Sequence, residues 1–241
     1  MHAAFTSRPS FFTSCLRAAI PALALAAIGT QAAASTVSLL GNGDFETAFC
    51  SPLRVSGFTS AQVGQWAVGD PACSTAAVNG ITPLGGSQMM EFSATGGVSS
   101  DVYQIVDVSA FAAQIDAGLV TVSWSASYNA VARAAAGLSL YRYTAQPTSF
   151  AGALYVAGSE TNLTVDSDLA TWQSFGLSDV ALASGTRYLL AGLHSPTSGP
   201  KTYVDDASLT LTVGGEAPEP STCALLLASG LAWWLGRRPR G

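Results

Sequence analysis

The chain has 241 residues, 49% hydrophobic and only 10% charged, with ten Lys and Arg against fifteen Asp and Glu. Arg8, Arg17, Arg237, Arg238 and Arg240 sit at the two ends, so the middle keeps only Arg54, Arg133, Arg142, Arg187 and Lys201 as cations. A stretch this acidic is a poor partner for nucleic acid or an anionic membrane surface and a reasonable host for a cation.

The first element is not part of a fold. Arg8 and Arg17 lie in a polar region without acids, Ala18 to Gly29 is a short apolar core, and Ala32-Ala33-Ala34 offers a small-residue cleavage site. That is the pattern of a secretory signal peptide over residues 1–34, to be read by the secretion machinery and signal peptidase. Residues 35–214 then suit one domain of about 180 residues, large enough for a substantial core. Residues 215–241 form a linker and tail.

Cys15 leaves with the signal peptide and Cys223 belongs to the tail, so the domain keeps Cys50 and Cys73. In an exported protein such a pair reads as a disulfide. It closes a loop of about two dozen residues, stabilising by about 3 kcal/mol on the chain-entropy estimate. Free thiols are the alternative. Zinc is disfavoured, because His194 is the sole histidine of the domain.

The domain is rich in Gly, Ser, Thr and Val, with turn signals at short intervals, which predicts an all-β fold. Strands are expected over Val37–Leu40, Trp66–Val68, Gln88–Ser93, Asp101–Val108, Val120–Tyr128, Gly137–Tyr143, Trp172–Leu177, Arg187–His194 and Thr202–Val213. Val120 to Tyr128 alternates most cleanly, with Val120, Val122, Trp124, Ala126 and Tyr128 on one face and small hydroxyls on the other. Ser109 to Ala117 suggests a helical turn closed by Gly118. Asn129–Ala136 and Gln146–Leu169 read as loops, the second with an optional short strand at Ala153–Val156. About eight to ten antiparallel strands of this length predict a two-sheet sandwich of jelly-roll type, with the signal helix and a C-terminal apolar helix outside it.

Two segments stand out. Near the start is Asn42-Gly43-Asp44-Phe45-Glu46, and near the end Thr202-Tyr203-Val204-Asp205-Asp206. Uninterrupted alternation puts Tyr203, Asp205, Ala207, Leu209 and Leu211 on one face and sends Asp205 toward the core. A buried carboxylate needs a cation, an arginine or several N–H donors. First and last strands commonly lie side by side in sandwiches, so Asp44 or Glu46 could share a calcium with Asp205, an ion suited to oxygen-rich surroundings. The alternative is that Asp205 caps a turn or pairs with Arg187 or Arg54. These two segments resemble those of galactose-binding-like jelly rolls, including carbohydrate-binding modules. The resemblance implies a structural calcium at Gly43, Glu46 and Asp205, and extracellular polysaccharide as a partner.

Sugars stack on exposed rings, and Tyr141 and Tyr143 share a face with Ser139, which makes them the candidate ligand contacts; ordinary strand packing is the alternative. Trp66 and Trp124 read as core. No motif singles out a nucleophile or a pair of catalytic carboxylates. His194 and Ser195 are adjacent, so on a strand they point to opposite faces and do not form a nucleophile with its base. A non-catalytic domain is expected, with a glycan-acting hydrolase the least favoured alternative.

The tail closes the chain. Pro218-Glu219-Pro220 is held extended by its prolines. An apolar run from Cys223 to Leu235 follows, shorter than the roughly 20 residues of a comfortable membrane span, and Arg237 and Arg238 then favour the cytoplasmic side. This order closely resembles the PEP-CTERM sorting signal of bacterial surface proteins. The resemblance implies transient membrane contact, processing by an exosortase, and a final place at the envelope surface or outside the cell. Among roles, a structural or adhesive matrix component leads, a carbohydrate-binding module comes next, and a hydrolase last.

Overall fold

The computed structural model describes residues 34–51, 62–68, 72–92, 100–150, 152–195 and 200–214. The sorting motif (Pro218, Glu219, Pro220, Arg237, Arg238) and the signal segment before Ala34 lie outside the described residues. Among those described, no helix is long and apolar enough to cross a membrane.

Alternating apolar residues build two antiparallel sheets. Sheet A contains β1 (Ser35–Ser38), β2 (Cys50–Ser51), β4 (Ala72–Thr75), β5 (Met89–Phe92), β7 (Val120–Ala130), β10 (Gln173–Ala181) and β12 (Thr202–Val213). Its order is β10-β7-β12-β5-β4-β2, and β1 also pairs with β12. Sheet B contains β3 (Trp66–Val68), β6 (Ser100–Asp107), β8 (Ala134–Tyr143), β9 (Tyr155–Val165) and β11 (Tyr188–Ser195), in the order β3-β6-β11-β8-β9. A 3-10 turn (Ser109–Phe111) and a short helix α1 (Ala112–Asp116) connect β6 to β7. The all-β sandwich expected from composition is therefore the fold.

The core lies between the sheets. Sheet A contributes Phe92, Val122, Trp124, Ala126, Tyr128, Leu209 and Leu211, and sheet B contributes Val102, Val106, Leu138, Leu140, Leu189 and Leu193. Two polar handles cross this core: Trp124 Nε1–H donates to the Gly192 carbonyl at 3.4 Å, and the Tyr128 hydroxyl donates to the Gly137 carbonyl at 2.9 Å. Each satisfies a group whose isolation in an apolar interior would be costly. Cys50 and Cys73 pair across β2 and β4 and form the expected disulfide.

Three local expectations change. Gln146–Leu169 is not mainly loop, because β9 runs for 11 residues within it. This strand edges sheet B, and its exposed Gly158, Glu160, Asn162 and Thr164 weaken the apolar signal. Asn129–Ala136 is mostly strand, because β7 runs on to Ala130 and β8 begins at Ala134, leaving a tight connection over residues 131–133. Finally, β12 carries a bulge between Asp205 and Ser208, with Asp206 at φ 53°. A bulge inserts a residue and reverses which faces the following side chains take. Val204 therefore lies in the sandwich core with Leu209 and Leu211. Tyr203 packs instead with Ile81 and Met89 in a separate small cluster. The reading that put Tyr203 and Asp205 on the face of Leu209 is corrected accordingly.

Candidate functional site

The two end motifs do meet. β1 lies antiparallel to the second half of β12, from Ser35 opposite Val213 to Ser38 opposite Thr210. At the bulge, the Ala207 N–H donates to the Gly43 carbonyl at 2.8 Å. Asp205 is 1% exposed, and its charge is met by N–H groups. Leu84 N–H (2.8 Å) and Gly85 N–H (3.3 Å) donate to Oδ2, and Asp206 N–H (2.8 Å) donates to Oδ1. Burial pushes this carboxyl up, and the three N–H donors pull it back. Glu46 takes the other end of the same loop: Ser87 N–H and Gln88 N–H each donate to Oε1 at 2.8 Å, and the Ser87 hydroxyl donates to Oε2 at 2.9 Å. The Gln88 N–H, followed by Ser87, holds Glu46 below the usual carboxylate range.

One loop, residues 84–88, is thus clamped by two carboxylates from opposite ends of the chain. Gly43, Glu46 and Asp205 are neighbours of this clamp, and each of the three already accepts an N–H. Among the described residues no group of three or more His, Cys, Asp and Glu gathers as a metal-binding set. The compensation that Asp205 requires is supplied by backbone amides, a donor set that accepts an anion. Asp205→Ala strands those three N–H groups and is expected to destabilise the protein by about 2 kcal/mol in denaturant unfolding. A midpoint equal to that of the wild-type protein would show that the clamp contributes nothing.

The outer face of sheet B carries a different constellation. His194 on β11 stands between Asp101 on β6 and Ser139 on β8. Its Nδ1 lies 2.6 Å from Asp101 Oδ1, and its Nε2 lies 2.6 Å from Ser139 Oγ. A carboxylate can only accept, so Nδ1–H donates to it and Nε2 is left to the serine hydroxyl. On the next residue outward along this face of β8, the Tyr141 hydroxyl donates to Glu160 of β9. Burial, and then that bond to Glu160, pushes the Tyr141 phenol up to about 12.

Three glycines make this arrangement possible. The register sets Gly192 opposite Ser139, Gly137 opposite His194 and Gly158 opposite Tyr141. A Cβ on Gly192 would fall 2.3 Å from Ser139 Oγ and 3.1 Å from His194 Nε2; one on Gly158 would fall 2.7 Å from the Tyr141 ring. The missing side chains let the imidazole and the phenol ring lie across the sheet instead of standing up from it. Trp124 and Tyr128 hold the carbonyls of Gly192 and Gly137 from the core side. The shelf is therefore fixed from beneath.

Phe150, beyond the end of β8, walls the shelf. The Tyr143 hydroxyl donates to the Phe150 carbonyl at 3.0 Å, and the Phe150 ring stands edge-on to Tyr103 and Tyr141. The result is a cleft of ≈ 320 Å³ lined by Asp101, Tyr141, Phe150, Glu160, Asn162 and His194. Of the two tyrosines taken from the sequence as ligand contacts, Tyr141 is at the cleft. Tyr143 is only 1% exposed and serves to hold the wall, so its expected role as an exposed ring is corrected.

Asp101, Ser139 and His194 were not read as a group from the sequence. The signal was there as alternation: Gly137, Ser139 and Tyr141 share a face of β8, as Gly192 and His194 share one of β11. The order Asp–His–Ser is also that of a hydrolytic relay. Ser139, however, is fully buried, and β8 is paired along both edges, so its amides serve ladders and not an oxyanion. A larger groove of ≈ 620 Å³ opens on sheet A beside the bulge, lined by serines with Asp44 and Asp206. No aromatic ring lines it, so it offers no stacking surface.

No protein-family model and no curated protein matches the sequence. Among solved structures, TmCBM61 in complex with beta-1,4-galactotriose is 15% identical, with 72% of this chain and 97% of that one covered at a TM-score of 0.45. The Stig cyclase Fisc from Fischerella sp. TAU is 13% identical, covering 76% and 100% at a TM-score of 0.48. Family 16 Carbohydrate Binding Module-2 is 14% identical, covering 71% and 98% at a TM-score of 0.41. Binding modules and a cyclase thus stand side by side, so what this chain does has to be argued from its own site.

Proposed function

We propose that the protein is an exported, non-catalytic component of the bacterial envelope surface or extracellular matrix whose sandwich binds polysaccharide on the outer face of sheet B. The observation that carries this reading is the walled cleft, in which a flat phenol ring and an imidazole lie among Asp101, Glu160 and Asn162. Sugars are recognised by apolar stacking on rings together with fixed hydrogen-bonding groups around their rims, and this cleft has both. Tyr141 supplies the ring. Asp101, Glu160 and Asn162 supply acceptors and an amide. Ser139 and His194 hold the floor, which is why the relay geometry is read as positioning and not as catalysis.

Delivery follows from the two ends of the sequence. The signal segment implies export, and Pro218-Glu219-Pro220 with the tail implies an exosortase step. The disulfide suits an oxidising compartment. Binding is tested on a glycan array with the wild-type protein and Tyr141→Ala. Binding to at least one polysaccharide, weakened tenfold or more in the variant, is expected. No binding to any glycan, or equal binding by both proteins, would remove the reading.

Calcium at Gly43, Glu46 and Asp205 belongs to the same proposal as a separate question. Because backbone amides already compensate both carboxylates, chelation is expected to leave the melting temperature unchanged. A drop of several degrees with chelator, restored by added calcium, would instead make the ion part of the clamp.

A further inference from the structure

We infer that the protein self-associates through β9: two copies pair their β9 edges antiparallel about Thr161, so that two five-stranded B sheets become one of ten strands. This goes beyond the polysaccharide-binding reading, and its test uses no glycan, so the two can fail separately.

An exposed edge presents a row of unpaired N–H and C=O groups, and natural sheets guard such edges with Lys, Pro, a bulge or shortness. β9 closes sheet B and, among the described residues, pairs only with β8. From Ala157 opposite Arg142 to Val165 opposite Ala134 that pairing runs nine residues without a bulge. The other edges are guarded. β1, β2 and β3 have at most four residues each, and β10 is broken by a register shift between Leu177 and Val180, with Asp179 at φ 52°. Residues 157–165 contain no Lys, Arg or Pro and a single charge, Glu160. The side chains on their outer face also leave the rim open. Glu160 turns back over β8 to the Tyr141 hydroxyl, Asn162 Oδ1 lies 2.6 Å from where a Cβ on Gly137 of β8 would stand, and Gly158 has no side chain.

The charges fit a second copy and choose its register. Pairing all nine residues with their own kind centres the two-fold axis on Thr161. Glu160 then falls opposite the partner's Asn162, Gly158 opposite the partner's Thr164 and Ala157 opposite the partner's Val165. Centring on Glu160 instead would set two carboxylates face to face, which is unfavourable. The same register brings the partner's Asp166, the residue after Val165, beside Ala157. The Ala157 carbonyl takes the Arg142 Nε–H, and that guanidinium has only neutral acceptors, the Ala157 and Ala181 carbonyls and the Ser159 hydroxyl. The second copy thus supplies a carboxylate beside a cation that the single chain leaves without one. Nine paired residues exchange about eight N–H···O=C bonds. A two-fold axis perpendicular to the sheet keeps both outer faces on one side, so Glu160 and Asn162 of both copies line the seam and the two clefts run together.

Analytical ultracentrifugation of the purified protein over a concentration series is expected to show a monomer–dimer equilibrium. Asn162→Glu places like charges across the seam twice and should weaken dimerisation about tenfold, whereas Asn162→Lys places opposite charges there and should tighten it about tenfold. A folding defect would not change sign with the charge. Ala48→Glu, which adds the same charge at an exposed position between β1 and β2, should leave the equilibrium unchanged. Oxidative cross-linking reads the register. Thr161→Cys should join two copies through residue 161, because directly opposite Cα atoms lie about 5 Å apart. Thr164→Cys should not, because its copy lies about 20 Å away along the seam. Four results would each overturn the inference: a monomer at every concentration, a shift in the same direction for both Asn162 variants, an equal shift with Ala48→Glu and Asn162→Glu, or cross-linking by Thr164→Cys as readily as by Thr161→Cys.

Discussion

Trp124→Ala is expected to lower the unfolding free energy by about 4 kcal/mol, the largest single-residue effect on stability in this fold. Trp124 is fully buried in the middle of β7, between β10 and β12, and its ring fills the space between the sheets. Truncation leaves a large cavity and removes the donor to the Gly192 carbonyl. The two losses act together, because Gly192 sits on the central strand of sheet B and also floors the cleft. The check is a denaturant titration read by Tyr fluorescence and by far-ultraviolet dichroism. The midpoint should move without a change in slope. A loss under about 1 kcal/mol would mean that the core does not close around this side chain.

Gly192→Val is expected to damage the cleft more than any other change at its floor. The first carbon of the new side chain would lie 2.3 Å from Ser139 Oγ, and the serine is fully buried with no room to retreat. Either Ser139 turns away from His194 or the strands separate. Over-packing of this kind costs about 1–3 kcal/mol, and the imidazole stands up once its resting place is filled. Affinity for the best array glycan should fall at least tenfold. Gly85→Ala is the comparison, since a Cβ there meets nothing within 4 Å. It should bind and melt as the wild-type protein does. Unchanged binding by Gly192→Val would show that the flat imidazole has no part in recognition.

Much of the fold was legible because period-two alternation is a local signal. Val120 to Tyr128 gave its buried face residue by residue. The pairing of first and last strands and the Cys50–Cys73 bridge were also readable. What escaped depends on single residues or on partners distant in the chain. The β12 bulge comes from one inserted residue, Asp206, with nothing apolar to mark it, and it overturned the face assigned to Asp205. β9 was missed because an edge strand with one wet face and an edge position needs few apolar side chains. The cleft joins Asp101, Ser139, Glu160 and His194 from four strands, and only the register brings them together. In the sequence, Tyr141 was visible as a ring on a strand, while Gly158, the glycine that lets it lie flat, fell in a stretch read as loop.

The most direct measurement of where ligand sits is a backbone NMR titration of the protein with its best array glycan. Amide shifts are expected to concentrate at Asp101, Ser139, Tyr141, Glu160, Asn162 and His194, on the outer face of sheet B. Shifts concentrated instead at Asp44, Ser125, Ser127 and Asp206, around the serine-lined groove of sheet A, would contradict the account.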